Sequence, residues 1–600
     1  PRGPVILVSN HTGFLDGPFV FTVSPRPVHF LVKQETFSGP FGVVLRGVGQ
    51  IPVDRTVGDR TALGRARTVL GAGAVGAAGL ALGACNVNDP SDETSSDATS
   101  AAATTTAPLK AEDLPPVPDG LPGALFTIGV ASGDPLPNSV MLWTRLVADP
   151  LDPTGGLPDA PVPVAWEVAA DEGFTSVVAS GSEVAEPGYA HSVHADAGGL
   201  SPDTWYWYRF SVGDLRSEPA RTRTMPADDV TPDRMQLAFA SCQEFNSGSY
   251  AAYGAMAADE LDLVVFLGDY IYERGGGRME PKVPQRVTQT LADYRVQYAA
   301  YKRNPLLQKV HRQVPWVLTW DDHEVGNNYA GVTPQEPESP DGYEKRRAAA
   351  YQAYWEHMPL RTGPPEADGS LKIYRSVQVG ALAKFFVLDG RQYRSDQVCG
   401  DRLAVPADEC PERLDEAGTM LGAEQEAWLA KGLADNDTTW TVLAQQTVMF
   451  PLVIRDLVLN LDQWDGYVAA RERLYDSIID ADQDNVVVLS GDIHAAGASD
   501  LFAERGGERV PVAHELVTTS ISSLSTIGEL GPAAVSLVEQ VAADAVYVNA
   551  EDHGYGRVTI TPERWTTEFV IVANVETDDA PASVDATIEL AAGSTELVRI

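Results

Sequence analysis

The arrangement of hydrophobic and polar positions is clearest at residues 261–273, which read LDLVVFLGDYIYE. The apolar run LVVFL has the length and the β-branched content of a strand that is buried on both faces. It ends at Gly268 and Asp269, and Tyr270 and Tyr272 follow. Ligands bind beyond the carboxyl ends of strands in open α/β sheets, so we expect Asp269 to point into a site. For one such strand taken alone, an Asp that only caps a turn is the alternative.

Five further apolar segments between residues 234 and 575 end in polar residues in the same way. They read RMQLAFASC, PWVLTWDDHE, AKFFVLDGRQYRSD, TWTVLAQQTVMF and NVVVLSGDIHAA. The residues at these polar ends are Cys242, Asp321, Asp322, His323, Glu324, Asp389, Arg391, Arg394, Gln445, Gln446, Asp492 and His494. A carboxylate shared by two cations, with separate ligands for each, builds a two-metal cluster that binds phosphate and activates water. The repetition therefore predicts a metal-dependent site in residues 234–575.

Residues 121–226 show a second pattern, in which short alternating strands are separated by Gly, Pro and Asp turns. The strands read VMLWTRL, VPVAWEV, TSVVASGSEV and TWYWYRFSV. Such spacing is typical of a small all-β sandwich of immunoglobulin or fibronectin type. Trp143, Trp166, Trp205 and Trp207 lie within the strands, so we expect them to pack in its core rather than bind sugar.

Residues 65–120 have the composition of a targeting segment followed by a linker. Two arginines separated by Ala66 precede an Ala/Gly-rich apolar run that ends at Cys85. A basic region, a weakly apolar core and small residues before a Cys are typical of a lipoprotein signal, and the arginines resemble those of twin-arginine export. We expect lipidation at Cys85 and a signal-like segment over 65–85, with a buried free thiol as the alternative. Residues 86–120 have almost no apolar content, which predicts a disordered linker.

Two segments of residues 234–600 are predicted to lie away from the chemistry. Residues 344–358, EKRRAAAYQAYWEHM, have helical composition with a basic start, and we expect surface packing over the sheet. Residues 576–600 are acidic and rich in small side chains, which predicts a peripheral tail.

The composition is strongly acidic, with 83 Asp and Glu residues, 44 Lys and Arg residues and a formal net charge of −39. This charge argues against nonspecific binding to nucleic acid or to anionic lipid. It suits a soluble protein in an extracellular setting or one that holds multivalent cations, although a general acidic bias explains it equally well. The length of 600 residues is too great for one core and predicts several domains.

Cys399 and Cys410 flank the polar segment GDRLAVPADE. Two cysteines in so short a polar segment indicate a small disulfide loop. Because disulfides persist in oxidising compartments, the pair predicts an exported, extracytoplasmic protein.

The motifs of residues 124–575 occur in a characteristic order. They are SC, GDYIYE, WDDHE, LDGRQYRSDQ, LGAEQEAWL, DQWDGY, GD-x-H and HGYGRVTITPERW. Together they resemble the PhoD family of alkaline phosphatases and phosphodiesterases. The resemblance implies an α+β fold, a metallophosphoesterase β-sandwich flanked by helices over residues 234–575, preceded by the all-β domain. It also implies hydrolysis of phosphate monoesters or diesters by metal-activated water, with Fe³⁺ and Ca²⁺ as cofactors.

The resemblance and the chemistry of the side chains together assign the metal ligands. Thiolate and phenolate suit Fe³⁺, which places Cys242 and Tyr272 on iron. The family also places His494 on iron and Asp269 between the two kinds of ion. Carboxylates are hard oxygen donors that suit Ca²⁺. The expected ligand set is Cys242, Asp269, Tyr272, Asp322, Asp492 and His494, whereas Tyr270 is expected to pack.

Two basic residues are expected to act in catalysis. His323 directly follows Asp322 and is placed to protonate the leaving alcohol or to hold the phosphate, with a satisfied histidine in a turn as the alternative. The guanidinium of Arg391 has the fork geometry for phosphate oxygens. A salt bridge to Asp389 is its alternative. The family usually has Thr where this chain has Gly390, a departure that leaves Arg391 in place.

Residues 1–70 form a separate unit with candidate chemistry of its own. PVILVSNHTGFLDGPFV carries His11 and Asp16, and FLVKQETFSGPFGVVLRGVGQIPVDR follows. A carboxylate near an imidazole can orient it to remove a proton from a hydroxyl. Together the two stretches resemble the PlsC-type glycerol-phosphate acyltransferases. That family continues with a Pro-Glu-Gly-Thr motif that is missing here, so we expect an incomplete α/β fragment that is inactive, joined by a reading-frame artefact or by a genuine fusion.

The sequence as a whole predicts an exported, metal-dependent phosphoester hydrolase. We expect a monomer that acts on phosphate mono- or diesters, does not bind nucleic acid specifically and is tethered to the membrane by a lipid. One alternative is 1-acylglycerol-3-phosphate acyltransferase activity from residues 1–70, alone or in a bifunctional fusion. Another is a surface lipoprotein with a degenerate phosphatase core, against which the complete ligand set weighs.

Overall fold

The computed structural model describes residues 31–33, 51–53, 114–275, 282–284, 286–454, 456–525 and 545–600. The chain divides into two compact units, Pro1–Ala103 and Thr104–Ile600. Across the described ranges, no helix has both the length and the apolar character needed to cross a membrane.

The first unit is described only at two short strands. Strand β1 (Leu31–Lys33) pairs in parallel with β2 (Ile51–Val53). The predicted acyltransferase residues His11 and Asp16 lie outside the described residues, as do the signal-like segment 65–85 and Cys85.

The second unit begins with an all-β region that forms parts of two sheets. Strands β5, β6, β8, β9 and β10 form one five-stranded sheet, whereas β3, β4 and β7 belong to a larger sheet described below. Apolar side chains from both groups of strands share one core. The strands of the region are β3 (Val130–Gly133), β4 (Ser139–Arg145), β5 (Val162–Ala169), β6 (Val177–Ala185), β7 (Ser192–Gly198), β8 (Trp205–Val212), β9 (Leu215–Arg216) and β10 (Ala220–Arg223).

The tryptophans of this region do not all pack in its core. Trp143 and Trp166 are buried as expected, but Trp205 and Trp207 are half-buried on the opposite face of β8, where Trp205 packs against the core under the helices. Side chains alternate across a strand, and Tyr206 and Tyr208 take the inward positions of β8. The core prediction was therefore wrong for Trp205 and Trp207.

Residues 235–600 contribute seven strands to a ten-stranded sheet, which runs β27-β26-β25-β24-β11-β12-β13-β3-β4-β7. Strands β11, β12 and β13 are parallel to one another, and β24 to β27 are antiparallel neighbours. Its strands from this part of the chain are β11 (Met235–Ala240), β12 (Leu263–Phe266), β13 (Trp316–Leu318), β24 (His553–Ile560), β25 (Arg564–Val572), β26 (Ala582–Ala591) and β27 (Val598–Arg599).

A seven-stranded sheet packs against the first and runs β14-β15-β17-β20-β22-β21-β23. Its strands β15, β17 and β20 are parallel neighbours. The strands are β14 (Arg375–Val379), β15 (Ala383–Val387), β17 (Trp440–Ala444), β20 (Val486–Ser490), β21 (Ala496–Arg505), β22 (Glu508–Val517) and β23 (Ala545–Asn549). A small third sheet is formed by β16 (Ala404–Pro406), β18 (Val453–Ile454) and β19 (Leu457–Leu459).

Helices cover the outer faces of both sheets. Buried side chains of α1 to α4 pack with those of β11, β12 and β13, and buried side chains of α5 and α6 pack with those of β17 and β20. The helices are α1 (Ala251–Met256), α2 (Leu291–Lys302), α3 (Pro305–His311), α4 (Pro340–His357), α5 (Gly422–Ala434) and α6 (Val468–Asp480). The result is a mixed α+β fold of two sheets between two layers of helices.

Strand β12 shows why its apolar run is continuous. Leu263 and Val265 pack in the core between the two sheets, whereas Val264 and Phe266 pack under the helices on the outer face. Because the strand has no polar face, all four side chains are apolar.

Residues 576–600 were predicted to form a peripheral tail, and the structure corrects this. Strand β26 pairs with β25 along most of its length. Ala586, Ile588 and Leu590 alternate along β26 and are buried in the core between the sheets. Polar and acidic side chains take the positions between them, because only one face of this strand is buried. A strand with one polar face therefore has the acidic, small-residue composition that was taken to indicate a tail.

Candidate active site

Four of the six polar strand ends meet in one cluster. Strands β11, β12 and β13 lead to Cys242, Asp269 and Asp322, and β20 of the other sheet leads to Asp492 and His494. Potential ligand atoms of these residues lie within 4.8 Å of one another in overlapping groups. The groups are Cys242 with Asp269 and His494, Asp269 with Asp322 and His323, and Asp321 with Asp322 and Asp492.

Tyr272 completes the set of predicted ligands. Its phenol oxygen lies 2.8 Å from Asp269 Oδ2 and 3.0 Å from His494 Nε2. His494 Nδ1 lies 2.7 Å from the carbonyl oxygen of Leu524, which fixes the ring and leaves Nε2 towards the cluster. All six predicted metal ligands therefore share one site. Tyr270 packs in the core instead, with its hydroxyl 2.8 Å from His311 Nε2.

The backbone at this site is held in an unusual conformation. Cys242, Asp269, Asp492 and His494 have positive φ values of 59°, 57°, 67° and 55°, which are uncommon for residues other than glycine. Residues held in this region cluster at functional sites, where the surrounding structure enforces them. Gly268 has a φ of 115°, and a Cβ there would collide with Asp321. The glycine before Asp269 therefore lets the ends of β12 and β13 approach.

Glu324 joins the loops that carry the ligands. Its buried carboxylate accepts hydrogen bonds from the backbone nitrogens of Asp269, Tyr270 and Asp321, at 3.1 Å for Asp269 and 2.9 Å for Asp321. One side chain thus fixes the turns after β12 and β13 relative to each other. Glu324 belongs to the site as a positioning group.

The electrostatics of the cluster favour a bound cation. Burial raises the pKa of Asp269 well above its usual value and that of Asp492 to about 6. Burial, together with Asp269, also raises the pKa of the Cys242 thiol and the Tyr272 phenol. Burial lowers the pKa of His494 to about 4, so its imidazole is neutral at pH 7 and suited to ligation. Anionic forms of these ligands would be stabilised by multivalent cations between them.

One buried carboxylate oxygen supports a bound cation. Asp322 Oδ1 has no hydrogen-bond partner within the described part of the chain, and Arg391 Nη2 lies 3.8 Å from it. A buried carboxylate oxygen without a partner is costly. Thiol, phenol and imidazole at one end of the cluster and carboxylates at the other match a softer and a harder cation. The residues present can therefore hold metal ions of two kinds.

Arg391 is fully buried among carboxylates. Its Nε donates to Asp321, its Nη1 lies 3.0 Å from Asp462 Oδ1 and its Nη2 lies 3.3 Å from Asp492 Oδ1. The alternative salt bridge to Asp389 is absent, because the Asp389 carboxylate accepts from Trp320 Nε1 and Gln392 Nε2 and from the backbone nitrogens of Arg391 and Gln392. The guanidinium thus binds three carboxylates. One of them, Asp492, is a predicted metal ligand and is bound through Nη2.

His323 lies beside the cluster in an ion pair. Its Nδ1 is 2.6 Å from Glu273 Oε2, and its ring centroid is 4.1 Å from that of Tyr272. Although burial opposes it, Asp322 and Glu273 raise the pKa of His323 well above its usual value. The charge of His323 in turn holds the pKa of Glu273 at about 2, although burial opposes ionisation. The pair with Glu273 therefore favours the imidazolium form of His323.

A disulfide loop borders the site. Cys399 and Cys410 are bonded, with a Cα–Cα distance of 5.9 Å, as the sequence predicts. Gln397 Nε2, at the start of this loop, donates to the Asn328 carbonyl at 2.7 Å and to Asp462 Oδ1 at 2.6 Å. The loop therefore contacts Asp462, which binds Arg391, and Asn328, which follows the turn at Asp322.

Sequence reasoning gave no role to Glu273, Glu324, Asp321 or Asp462. Glu273 and Glu324 end the GDYIYE and WDDHE motifs, and Asp462 opens DQWDGY. Their position in these motifs was a signal, but their partners lie between 50 and 71 residues away for the contacts His323–Glu273, Glu324–Tyr270, Arg391–Asp321 and Arg391–Asp462. Such pairings appear only in the folded chain.

Comparison with known proteins agrees with this geometry. Residues 237–569 match the model of the PhoD-like phosphatase family, and residues 118–226 match that of the family's N-terminal domain. The chain belongs to the PhoD-like phosphatases. It is 43% identical over 476 residues to alkaline phosphatase D of Bacillus subtilis (strain 168), a match that covers 77% of this chain and 80% of that protein. A solved structure of PhoD matches with a TM-score of 0.76 and 40% identity, covering 80% of this chain and 93% of the other.

The family membership confirms the prediction made from the motifs. As a PhoD-like phosphatase, the chain is an enzyme that hydrolyses phosphoric esters, and the family is metal-dependent. Residues 1–80 match the model of the acyltransferase family, in line with the resemblance noted for residues 1–70.

Proposed function

We propose that this enzyme hydrolyses phosphate monoesters and diesters with Fe³⁺ and Ca²⁺ as cofactors. The observation that carries the proposal is the meeting of a thiol, a phenol, an imidazole and several carboxylates in one buried site. Cys242, Tyr272 and His494 would hold the iron, Asp269 would bridge the ions, and the remaining ligand carboxylates would hold calcium. Such ions, when bound, take phosphate oxygens and make a coordinated water acidic enough to attack phosphorus.

The side chains around the cluster have separate tasks in this proposal. His323, an imidazolium beside the ligands, donates a proton to the oxygen of the leaving alcohol. Arg391 balances the charge of Asp321 and Asp492, so that the ligand carboxylates keep their places as charge builds on the phosphate. Glu324 holds the turns that carry Asp269 and Asp321.

The two alternative functions are not favoured. Acyl transfer would rest on His11 and Asp16, which lack the Pro-Glu-Gly-Thr motif of their family. A degenerate phosphatase core would lack ligands, whereas all the predicted ligands lie together. Both considerations support phosphoester hydrolysis as the function of the chain.

We also propose that the enzyme acts outside the cytoplasm and is anchored by lipid at Cys85. The Cys399–Cys410 disulfide supports an oxidising compartment. Mass spectrometry of the protein recovered from its source would show a lipid-modified Cys85 at the N-terminus. An unmodified N-terminus upstream of residue 65 would contradict the anchor.

A substrate panel tests the function directly. We expect the purified enzyme to release p-nitrophenol from p-nitrophenyl phosphate and from bis-p-nitrophenyl phosphate. A chelator should lower both rates at least tenfold, and added Ca²⁺ should restore part of the loss, because the ions hold the phosphate. Equal rates with and without chelator would contradict the proposed metal cluster. The ratio of the two rates shows whether monoesters or diesters are preferred.

A further inference from the structure

Glu273 is the only side chain bonded to Nδ1 of His323 in the described residues. The Nδ1–Oε2 distance is 2.6 Å, and the Glu273 side chain is completely buried. The Tyr272 ring covers one side of the imidazole, and the backbone nitrogen of His323 lies 3.4 Å from Asp269 Oδ1. The imidazole is thus fixed through its backbone, its face and Nδ1, and Nε2 is the nitrogen left to meet a substrate.

Glu273 is itself held in place. Its backbone carbonyl accepts from the backbone nitrogen of Thr288 at 2.7 Å. Its Oε1 accepts from Arg274 Nε at 3.0 Å and from the backbone nitrogen of Asn327 at 3.5 Å. Because Oε1 is occupied, Oε2 is directed to the imidazole. A buried, anchored carboxylate fixes the orientation of the imidazole ring and keeps a proton on Nδ1.

We propose that Glu273 is a positioning residue that keeps the proton of His323 Nε2 directed at the leaving oxygen of the substrate. The inference rests on the proposed role of His323 in phosphoester hydrolysis. Water forms the new bond to phosphorus and releases one proton to solvent, and the bond from phosphorus to the alcohol oxygen breaks. The electron pair of that bond stays on the alcohol oxygen, which takes the Nε2 proton. Glu273 neither gives nor takes a proton in this step, and the imidazole regains one from solvent before the next turnover.

A change at Glu273 should lower the hydrolysis rate of some substrates more than that of others. p-Nitrophenolate is a stable anion that leaves with little help from an acid, whereas an alkoxide needs the proton. We expect Glu273→Gln to lower kcat/KM for glycerol phosphate about 100-fold and that for p-nitrophenyl phosphate less than about threefold, within the range of general acid catalysis. A purely structural role for Glu273 would lower both values by the same factor.

Three further variants complete the experiment. His323→Asn should show the same selective loss, and His323→Asn with Glu273→Gln should lose no more than His323→Asn alone. Glu356→Gln is the matched control, because Glu356 is equally buried but pairs with Arg295 away from the site. It should not change the ratio of the two kcat/KM values. Should Glu273→Gln fold poorly, Glu273→Asp keeps the charge but shortens the reach to Nδ1, and it should show the same selectivity.

The outcomes separate this inference from the proposed function. Equal losses on both substrates in the Glu273 variants, with selective loss in His323→Asn, would overturn the role of Glu273 alone. If the loss in the double variant equals the product of the two single losses, the role of Glu273 is overturned as well. An absence of selectivity in His323→Asn would overturn the proton-donor role of His323 and this inference together, while chelator-sensitive hydrolysis would still support the metal site.

Discussion

Asp269 shows at the scale of a single residue how the fold maintains a strained site. Its φ of 57° costs about 1–3 kcal/mol for a residue other than glycine. The buried carboxyl group of Glu324 accepts from the backbone nitrogens of Asp269 and Asp321, and such hydrogen bonds contribute about 0.5–1.5 kcal/mol each. Glu324 therefore offsets the backbone strain at Asp269 without needing to contact the substrate.

Glu515 gives a test of the electrostatics away from the metal ligands. Burial raises the pKa of its carboxyl to about 7, and the group accepts from the backbone nitrogens of Met449 and Phe450. The folded state therefore prefers the protonated form, so this contribution to stability is full below the unfolded pKa of about 4.5 and is lost as pH rises through 7. Between pH 5 and pH 8 it should fall by roughly 2–3 kcal/mol.

Urea unfolding at the two pH values measures this contribution. The wild-type free energy of unfolding should fall with pH by roughly 2–3 kcal/mol more than that of Glu515→Gln, which cannot ionise. The comparison cancels the shared effect of the other acidic residues. Parallel pH dependence in the two proteins would contradict the raised pKa.

The meeting of the carboxylates proposed as metal ligands could be predicted from sequence because each follows an apolar strand. Asp269, Asp322 and Asp492 stand within a few residues of the strand end that carries them. The roles of Glu273 and Glu324 could not, because each is defined by a partner on another loop. The surroundings of Arg391 likewise depend on Asp462, which lies 71 residues away along the chain.

At the scale of elements, two glycines allow the strand ends to meet. A Cβ at Gly268 would collide with Asp321, and one at Gly491 would collide with Ser241 of the other sheet. The Gly-Asp pairs of the two motifs thus bring four strand ends together, those of β11, β12, β13 and β20, and place a carboxylate at each contact. This explains physically why the glycine precedes the ligand in both.

The disulfide loop should contribute both to stability and to substrate binding. Replacing Cys399 and Cys410 by Ser should lower stability by about 2–4 kcal/mol, since the cross-link restricts the unfolded chain. It should also raise KM, because Gln397 would no longer be held against Asn328 and Asp462.

Dithiothreitol supplies the control for this variant. It should lower the melting temperature of the wild type to that of the double Ser variant and leave the variant itself unchanged. A wild type that keeps its melting temperature and KM after full reduction would contradict the role assigned to the loop.

Element predictions succeeded where burial is extreme and failed where it is partial. The run LVVFL is buried on both faces and was predicted as such. The strand at Ala582–Ala591 buries alternate small and apolar residues, and it was mistaken for a tail. Trp205 and Trp207 were placed in a core because hydrophobicity alone does not say which face of a strand is inward.

At the scale of the whole molecule, one sheet runs through both regions that match the PhoD-like family. Strands β3, β4 and β7 of the all-β region extend the sheet that carries β11, β12 and β13. Removing residues before 234 would therefore take three strands from the catalytic sheet and expose its core. The all-β region is therefore part of the scaffold of the site. The sequence pattern predicted a separate domain and did not predict this shared sheet.

The metal content of the purified protein tests the central claim most directly. The wild type should contain iron by elemental analysis, show a visible charge-transfer band from thiolate and phenolate ligands, and hydrolyse p-nitrophenyl phosphate. Cys242→Ala should lose the iron, the band and most of the activity. Ser241→Ala is the matched control, because the neighbouring hydroxyl is equally buried and is not among the proposed ligands. A Cys242→Ala variant with full iron content and full phosphatase activity would contradict the account.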